Sequence, residues 1–251
     1  MASIDLNADL GETVDGVPTA DDEAMFAVVS SASVACGGHA GDAASMTDAV
    51  ARATAAGVAV GAHPSFVDRA GFGRVARAVA PDLLRTQVRE QIGALVAAGA
   101  DLRYVKPHGA LYHSVTVDSA SAEAVVAAVA DIAHDLGRPL PLLGMPGVVV
   151  GAAAAHGIPF LVEAFLDRGY LPSGALVPRG EAGALLHDAD AVAARAVRLA
   201  GDGLVDAVDG SMLRVQAASL CLHGDTAGSV AMARAVRAAL DTAGVAVRAP
   251  W

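Results

Sequence analysis

The sequence predicts an α/β fold whose parallel strands close into a barrel, on three observations. Short Val-, Ile- and Ala-rich runs alternate with Ala-rich amphipathic runs, the pattern of repeated strand–helix units with right-handed crossovers. About seven such units fit into 251 residues, which suits a closed or nearly closed barrel better than an open doubly wound sheet. Polar residues recur just past the strand runs, where barrels carry their chemistry. No G-x-G-x-x-G follows the first strand, which argues against a dinucleotide fold.

The elements follow in order. Ile4 to Ala8 reads as the first strand, and Asp21 to Ser30 as a helix with acidic residues in its first turn. Ser33 to Cys36 is a second strand. Asp42 caps a helix that runs to about Ala56 and stops at Gly57. Val58 to Ala62 is the third strand, and Pro81 opens a long helix ending near Gly99. Arg103 to Lys106 is a strand and Ser119 to Leu136 a helix. Leu140 to Leu143 is the next strand, with a helix from Pro146 to Gly157. Ile158 to Glu163 and Leu220 to Leu222 are the last barrel strands. A helix from about Thr226 to Ala243 follows, with Asp225-Thr226 as its N-cap, and Val245 to Val247 adds a short strand. Leu171 to Val215 breaks the rhythm with a loop, a helix around Asp190 to Ala200 and a hairpin at Asp209-Gly210. It is expected to be an insertion within one domain covering residues 1–251.

Composition narrows the function. Hydrophobic residues are 54% and aromatics only 4%, so the core must be mainly Ala, Val and Leu. A net charge of -10 with no basic stripe argues against nucleic acid. No apolar run reaches the ~18 residues needed to span a bilayer, and no signal-peptide pattern opens the chain. Cys36 and Cys221 lie far apart in apolar runs, so a reducing cytoplasm is expected. All but one of the 17 basic residues are Arg; the single Lys is Lys106, at a strand end. The two cations are not interchangeable, which singles Lys106 out.

Period two places Asp5, Asn7 and Asp9 on one face of the first strand, the barrel interior. Four of the eight histidines, His39, His63, His108 and His223, fall just past strands beside Gly or Pro. His113, His134, His156 and His187 fall in helices or loops and read as structural. Any one strand-end histidine could be a satisfied residue at the core edge. Four of them, with Asp9, Lys106 and Glu163, are better explained by one polar cavity. Two chemistries remain open on the residues alone. An Asp and two His could hold a divalent metal that activates water. Alternatively, a carboxylate could act as general base beside an oxyanion stabilised by Lys106 and His. No P-loop motif and no G-x-S-x-G elbow is present, which argues against a P-loop nucleotide hydrolase and a serine hydrolase.

The strand-end motifs together resemble the LamB/YcsF family, the A subunits of bacterial 5-oxoprolinase. The matching pieces are Asp5–Glu12, Ala35-Cys36-Gly37 with His39–Asp42, Gly61–Ser65, Gly71–Arg74, Val105–Tyr112, Glu163–Phe165 with Asp167-Arg168, Leu176–Arg179 and His223–Thr226. They span nearly the whole chain in the family's order. Gly38 stands where the family usually has Phe, and Leu166 where it usually has Ala, so His39 is expected to lack an aromatic wall. The resemblance implies ATP-dependent opening of 5-oxo-L-proline to L-glutamate, together with subunits B and C. It also implies a seven-stranded barrel similar to the glycoside hydrolase/deacetylase barrel. In that wider group an Asp and two His bind a metal; the equivalents would be Asp9, His63 and His108. Asp9 or Glu163 is the expected general base, and His223 a further catalytic candidate. Lys106 would stabilise an oxyanion or contact a phosphate. Asn7, His39, His63 and His108 would line the substrate site. Arg168 and Arg179 would bind the substrate carboxylate. The alternatives are a metal-dependent amide or carbohydrate deacetylase and a non-catalytic binding subunit.

Overall fold

The structure, a computed structural model, describes residues 2–224 and 228–251. Seven parallel strands form a ring: β1 (Ser3–Leu10), β2 (Ser31–Ala35), β3 (Ala59–His63), β4 (Leu102–Val105), β5 (Leu142–Gly144), β6 (Phe160–Phe165) and β7 (Ser219–Cys221). Each pairs with its sequence neighbours. β1 closes the ring by pairing Asp5–Asn7 with β7 and Asn7–Leu10 with β2. The sheet is therefore a barrel and not the open alternative.

Helices cover the outside: α1 (Asp22–Phe26), α2 (Ala43–Ala56), α3 (Pro81–Ala97), α4 (Gly109–Val117), α5 (Ser119–Leu136), α6 (Val148–Ala155), α7 (Ala189–Asp202) and α8 (Ser229–Thr242). The sequence sets several ends sharply. Asp42 and Ser45 form a reciprocal capping box at α2, and Gly57 ends it with φ of 68°. Asp118 ends α4 and caps α5. No helix among the described residues is long and apolar enough to cross a membrane.

Three elements differ from expectation. The first helix stops at Phe26 and not Ser30, because the Ser30 N–H pairs with the Leu6 carbonyl and draws the chain into the sheet. α4 follows the Pro107 turn, where no helix was expected. A hairpin, Thr13–Val14 with Val17–Pro18, turns on Asp15-Gly16, both at positive φ. The second hairpin, Leu204–Asp206 with Met212–Arg214, does turn at Asp209-Gly210. The expected start of the last helix at Thr226, with its Asp225-Thr226 cap, lies outside the described residues; the helix is described from Ser229.

Alternation along the strands separates two environments. Ile4, Leu6, Ala8, Ala32, Val34, Val60 and Leu220 join the apolar shell between barrel and helices. Asp5, Asn7 and Asp9 are buried within the ring, as period two predicts. Asp5 accepts from Ser30 Oγ at 2.6 Å, from Ser31 Oγ at 2.7 Å and from Ser219 Oγ. Burial nonetheless pushes its carboxyl above the usual range. The Tyr104 ring fills the barrel below, its hydroxyl 3.0 Å from Ser33 Oγ. A Cβ on Gly61 would come within 2.3 Å of that ring. The Trp251 indole stacks on Tyr104 with centroids 4.2 Å apart and donates to Ser31 Oγ at 3.1 Å.

Candidate active site

The carboxyl ends of the strands open into a cavity of about 380 Å³. Asp9, Glu12, His63, Lys106, His108 and His223 line it together with Arg74, His113 and Arg179. These residues come from separate stretches of sequence that only the closed barrel brings together.

Lys106 is the hub. Its Nζ lies 2.8 Å from Asp9 Oδ1, 2.9 Å from Glu163 Oε1, 3.0 Å from Asn7 Oδ1 and 3.2 Å from Cys221 Sγ. An ammonium has three N–H donors, so protein groups use all of them. Burial pushes its pKa down, but the carboxylates of Asp9 and Glu163 outweigh that and hold it well above the ordinary Lys value. Burial likewise pushes the Asp9 carboxyl up, and the charges of His63 and Lys106 hold it well below its usual range. Glu163 accepts from Asn7 Nδ2 at 2.9 Å and from Tyr112 Oη at 2.9 Å. Asn7 also donates to Ser219 Oγ at 2.7 Å, which ties the hub to Asp5.

His63, His108 and His39 form the second group. His63 Nε2 lies 3.2 Å from Asp9 Oδ2 and 2.9 Å from His108 Nδ1. The His39 ring stacks on His108 with centroids 3.6 Å apart, and its Nε2 is 3.1 Å from Glu12 Oε1. Burial lowers the pKa of both His39 and His108 well below the ordinary His value. Among the described residues, two sets place ligand-type atoms within 4.8 Å of one another: Glu12, His39, His63 and His108, and Asp9, Cys221 and His223.

His223 stands opposite, its Nδ1 3.0 Å from both Asp167 oxygens. Burial raises the Asp167 carboxyl, and His223 overrides it to leave the value lowered. The carboxylate fixes Nδ1 as the protonated nitrogen and leaves Nε2 as the one able to exchange a proton.

Several expectations need correction. Arg168 lines the cavity, but Nε donates to the Ala184 carbonyl at 3.1 Å and Nη2 to the Val177 carbonyl at 2.7 Å. Those bonds brace the loop carrying Leu176 to Arg179 and occupy the fork that a carboxylate would use. His113, read as structural, lines the cavity instead, because α4 carries it there. The aromatic wall beside His39 is present: Phe72 supplies it at 5.3 Å. Gly38 could not, since a Cβ there would meet Gln91 Oε1 at 2.2 Å. Glu12, Tyr112, Arg74 and Asp167 take part in the site without having been singled out by the strand-end pattern. Glu12 follows Gly11, whose φ of +70° takes the chain out of the strand's alternation.

Comparison with known proteins agrees along the full length. The A subunit of a 5-oxoprolinase from Kocuria rhizophila is 51% identical over 253 residues, covering 99% of both chains. The crystal structure of a lactam utilization protein from Thermus thermophilus is 43% identical, with a TM-score of 0.91 over 98% of this chain and 99% of that one. A family 4 carbohydrate esterase from Streptomyces lividans shares the barrel at 12% identity and a TM-score of 0.50, over 98% of this chain and 91% of that one. That last likeness concerns the fold alone. Residues 4–250 match the model of the LamB/YcsF family, and the chain belongs to that family.

Proposed function

We propose that this chain opens the ring of 5-oxo-L-proline to L-glutamate as the A subunit of an ATP-dependent 5-oxoprolinase. Full-length identity of 51% to a relative of that name carries the proposal, and the charged cavity at the barrel mouth supplies the chemistry.

A five-membered lactam is a stabilised amide, so its hydrolysis needs a coupled driving force. With no P-loop in the sequence, ATP activation falls to partner subunits B and C. They transfer the γ-phosphoryl group to the lactam oxygen. Water then adds to the activated carbon, the carbon–nitrogen bond breaks as nitrogen takes a proton, and an acyl phosphate results. A second water releases inorganic phosphate and glutamate.

Asp9 is the general base for the first water, because it faces the cavity while Lys106 and His63 keep it ionised. Glu163 is saturated by Asn7, Tyr112 and Lys106. Its role is to anchor Lys106. Lys106 in turn holds Asp9 in register and keeps positive potential beside the reacting oxygen. His223, held by Asp167, donates the proton to the leaving nitrogen. Arg179, with Arg74, takes the substrate carboxylate. His63, His108 and Glu12 lie on the cavity wall, and their donor atoms fit a divalent cation, which would polarise the substrate carbonyl. Two free, buried cysteines suit work in a reducing cytoplasm.

The test is glutamate formation from 5-oxoproline and ATP, with and without subunits B and C. Turnover is expected only with the partners. Robust 5-oxoproline-dependent ATP hydrolysis by the isolated chain would overturn the division of labour. The histidine cluster also suits metal-dependent amide or carbohydrate deacetylation, for which ATP-independent acetate release from N-acetyl sugars would be the mark.

A further inference from the structure

The two central histidines turn one ring nitrogen each toward the other. His63 Nδ1 lies 2.7 Å from the Lys106 carbonyl oxygen, and His108 Nε2 lies 3.0 Å from the Phe72 carbonyl oxygen. A carbonyl only accepts, so each of these nitrogens carries a proton. The other two, His63 Nε2 and His108 Nδ1, lie 2.9 Å apart, with Asp9 Oδ2 3.2 Å from His63 Nε2. Two lone pairs at that separation repel unless positive charge lies between them, either a second proton on His63 shared with Asp9 or a metal ion.

The surroundings point the same way. Glu12 Oε1 is 3.6 Å from His108 Nδ1. His39 touches the same oxygen through Nε2, stacks flat on His108 at 4°, and keeps a buried Nδ1 with no hydrogen-bond partner. Two nitrogens each about 2.1 Å from one ion can lie 2.9 Å apart. Ring N–H groups held by backbone carbonyls are the outer contacts that ligating histidines usually make.

We propose that Glu12, His63 and His108 bind one divalent first-row transition ion at the barrel mouth. His39 is the positioning residue that holds Glu12 and the His108 ring. Asp9 stays with Lys106, outside the ligand set, so the carboxylate ligand is not the one fold analogy suggests. A mixed nitrogen and oxygen set suits a zinc-like ion, and these three ligands on the cavity wall leave a coordination position facing the substrate space. This goes beyond the lactam proposal and is decided by metal content, whatever the turnover.

The experiment uses the untagged full chain, stripped with chelator and titrated with Co²⁺. One equivalent is expected to bind with a visible d–d band, and Zn²⁺ is expected to displace it. Glu12→Gln and His108→Gln should each weaken binding by more than about 100-fold, and His39→Gln by about 10- to 100-fold. His134→Gln, on an exposed face of α5, should leave it unchanged. The proposal is overturned if folded wild-type chain binds no Co²⁺, or if both ligand variants bind as tightly as wild type. It is also overturned if ¹⁵N spectra of the wild-type chain in the presence of Zn²⁺ show a protonated imidazolium at His63 or His108. That last measurement needs no variant to fold.

Discussion

Lys106 and the His63–His108 pair lie within one barrel mouth, yet their polar groups are settled in opposite ways. Around Lys106 every donor meets an acceptor, and two carboxylates flank one ammonium. Around the histidines, backbone carbonyls take one N–H from each ring and leave the other two nitrogens 2.9 Å apart. The first arrangement is complete within the protein and holds its geometry unaided. The second, on the metal proposal above, is completed by an ion.

Substitutions can break that contrast. The largest effect is expected from Lys106→Met, which leaves Asp9 and Glu163 buried without their cation. It should lower stability by about 3–5 kcal/mol, read as a shifted urea midpoint at unchanged slope. His108→Gln in metal-stripped protein removes a repulsion along with its bonds and should cost less than about 1.5 kcal/mol. Equal losses in the two variants would erase the distinction. Asp9→Asn should reduce glutamate formation by the assembled enzyme by about 10²- to 10⁴-fold while leaving KM nearly unchanged.

A smaller effect concerns Asp22, which accepts the Gly11 N–H at 2.8 Å and so steadies the turn before Glu12. Burial pushes its carboxyl up to about 6. Folding therefore takes up a proton between the unfolded carboxylate range and that value, and stability present near pH 4 is lost as pH rises through 6. Asp22→Asn should remove that slope and raise stability at pH 7 by about 1 kcal/mol, allowing for partial exposure; chemical denaturation across pH checks it. The smallest effect is expected from Cys221→Ala. The thiol makes one weak contact with Lys106 at 3.2 Å, and burial keeps it protonated, so the melting midpoint should move by less than about 1 kcal/mol equivalent.

Much of this was legible in the sequence because it is local. Period two put Asp5, Asn7 and Asp9 on one face, and caps such as Asp42 and Gly57 marked helix ends. The singular Lys106 stood out from composition alone. The pairings were not legible: Lys106 and Asp9 are 97 residues apart, and Asn7 and Glu163 are 156 apart. Glu12 was hidden by the left-handed Gly11, after which strand periodicity no longer applies. Tyr112 and His113 were hidden because α4 has little amphipathic pattern and follows a proline turn. Asp15-Gly16 did carry a hairpin signal, of the same kind that marked Asp209-Gly210.

The Trp251 indole, stacked on Tyr104 and bonded to Ser31, stoppers the end of the barrel opposite the cavity. With that end filled, the function proposed above would have product leave by the route the lactam enters, so added glutamate should slow the assembled enzyme as a competitive inhibitor.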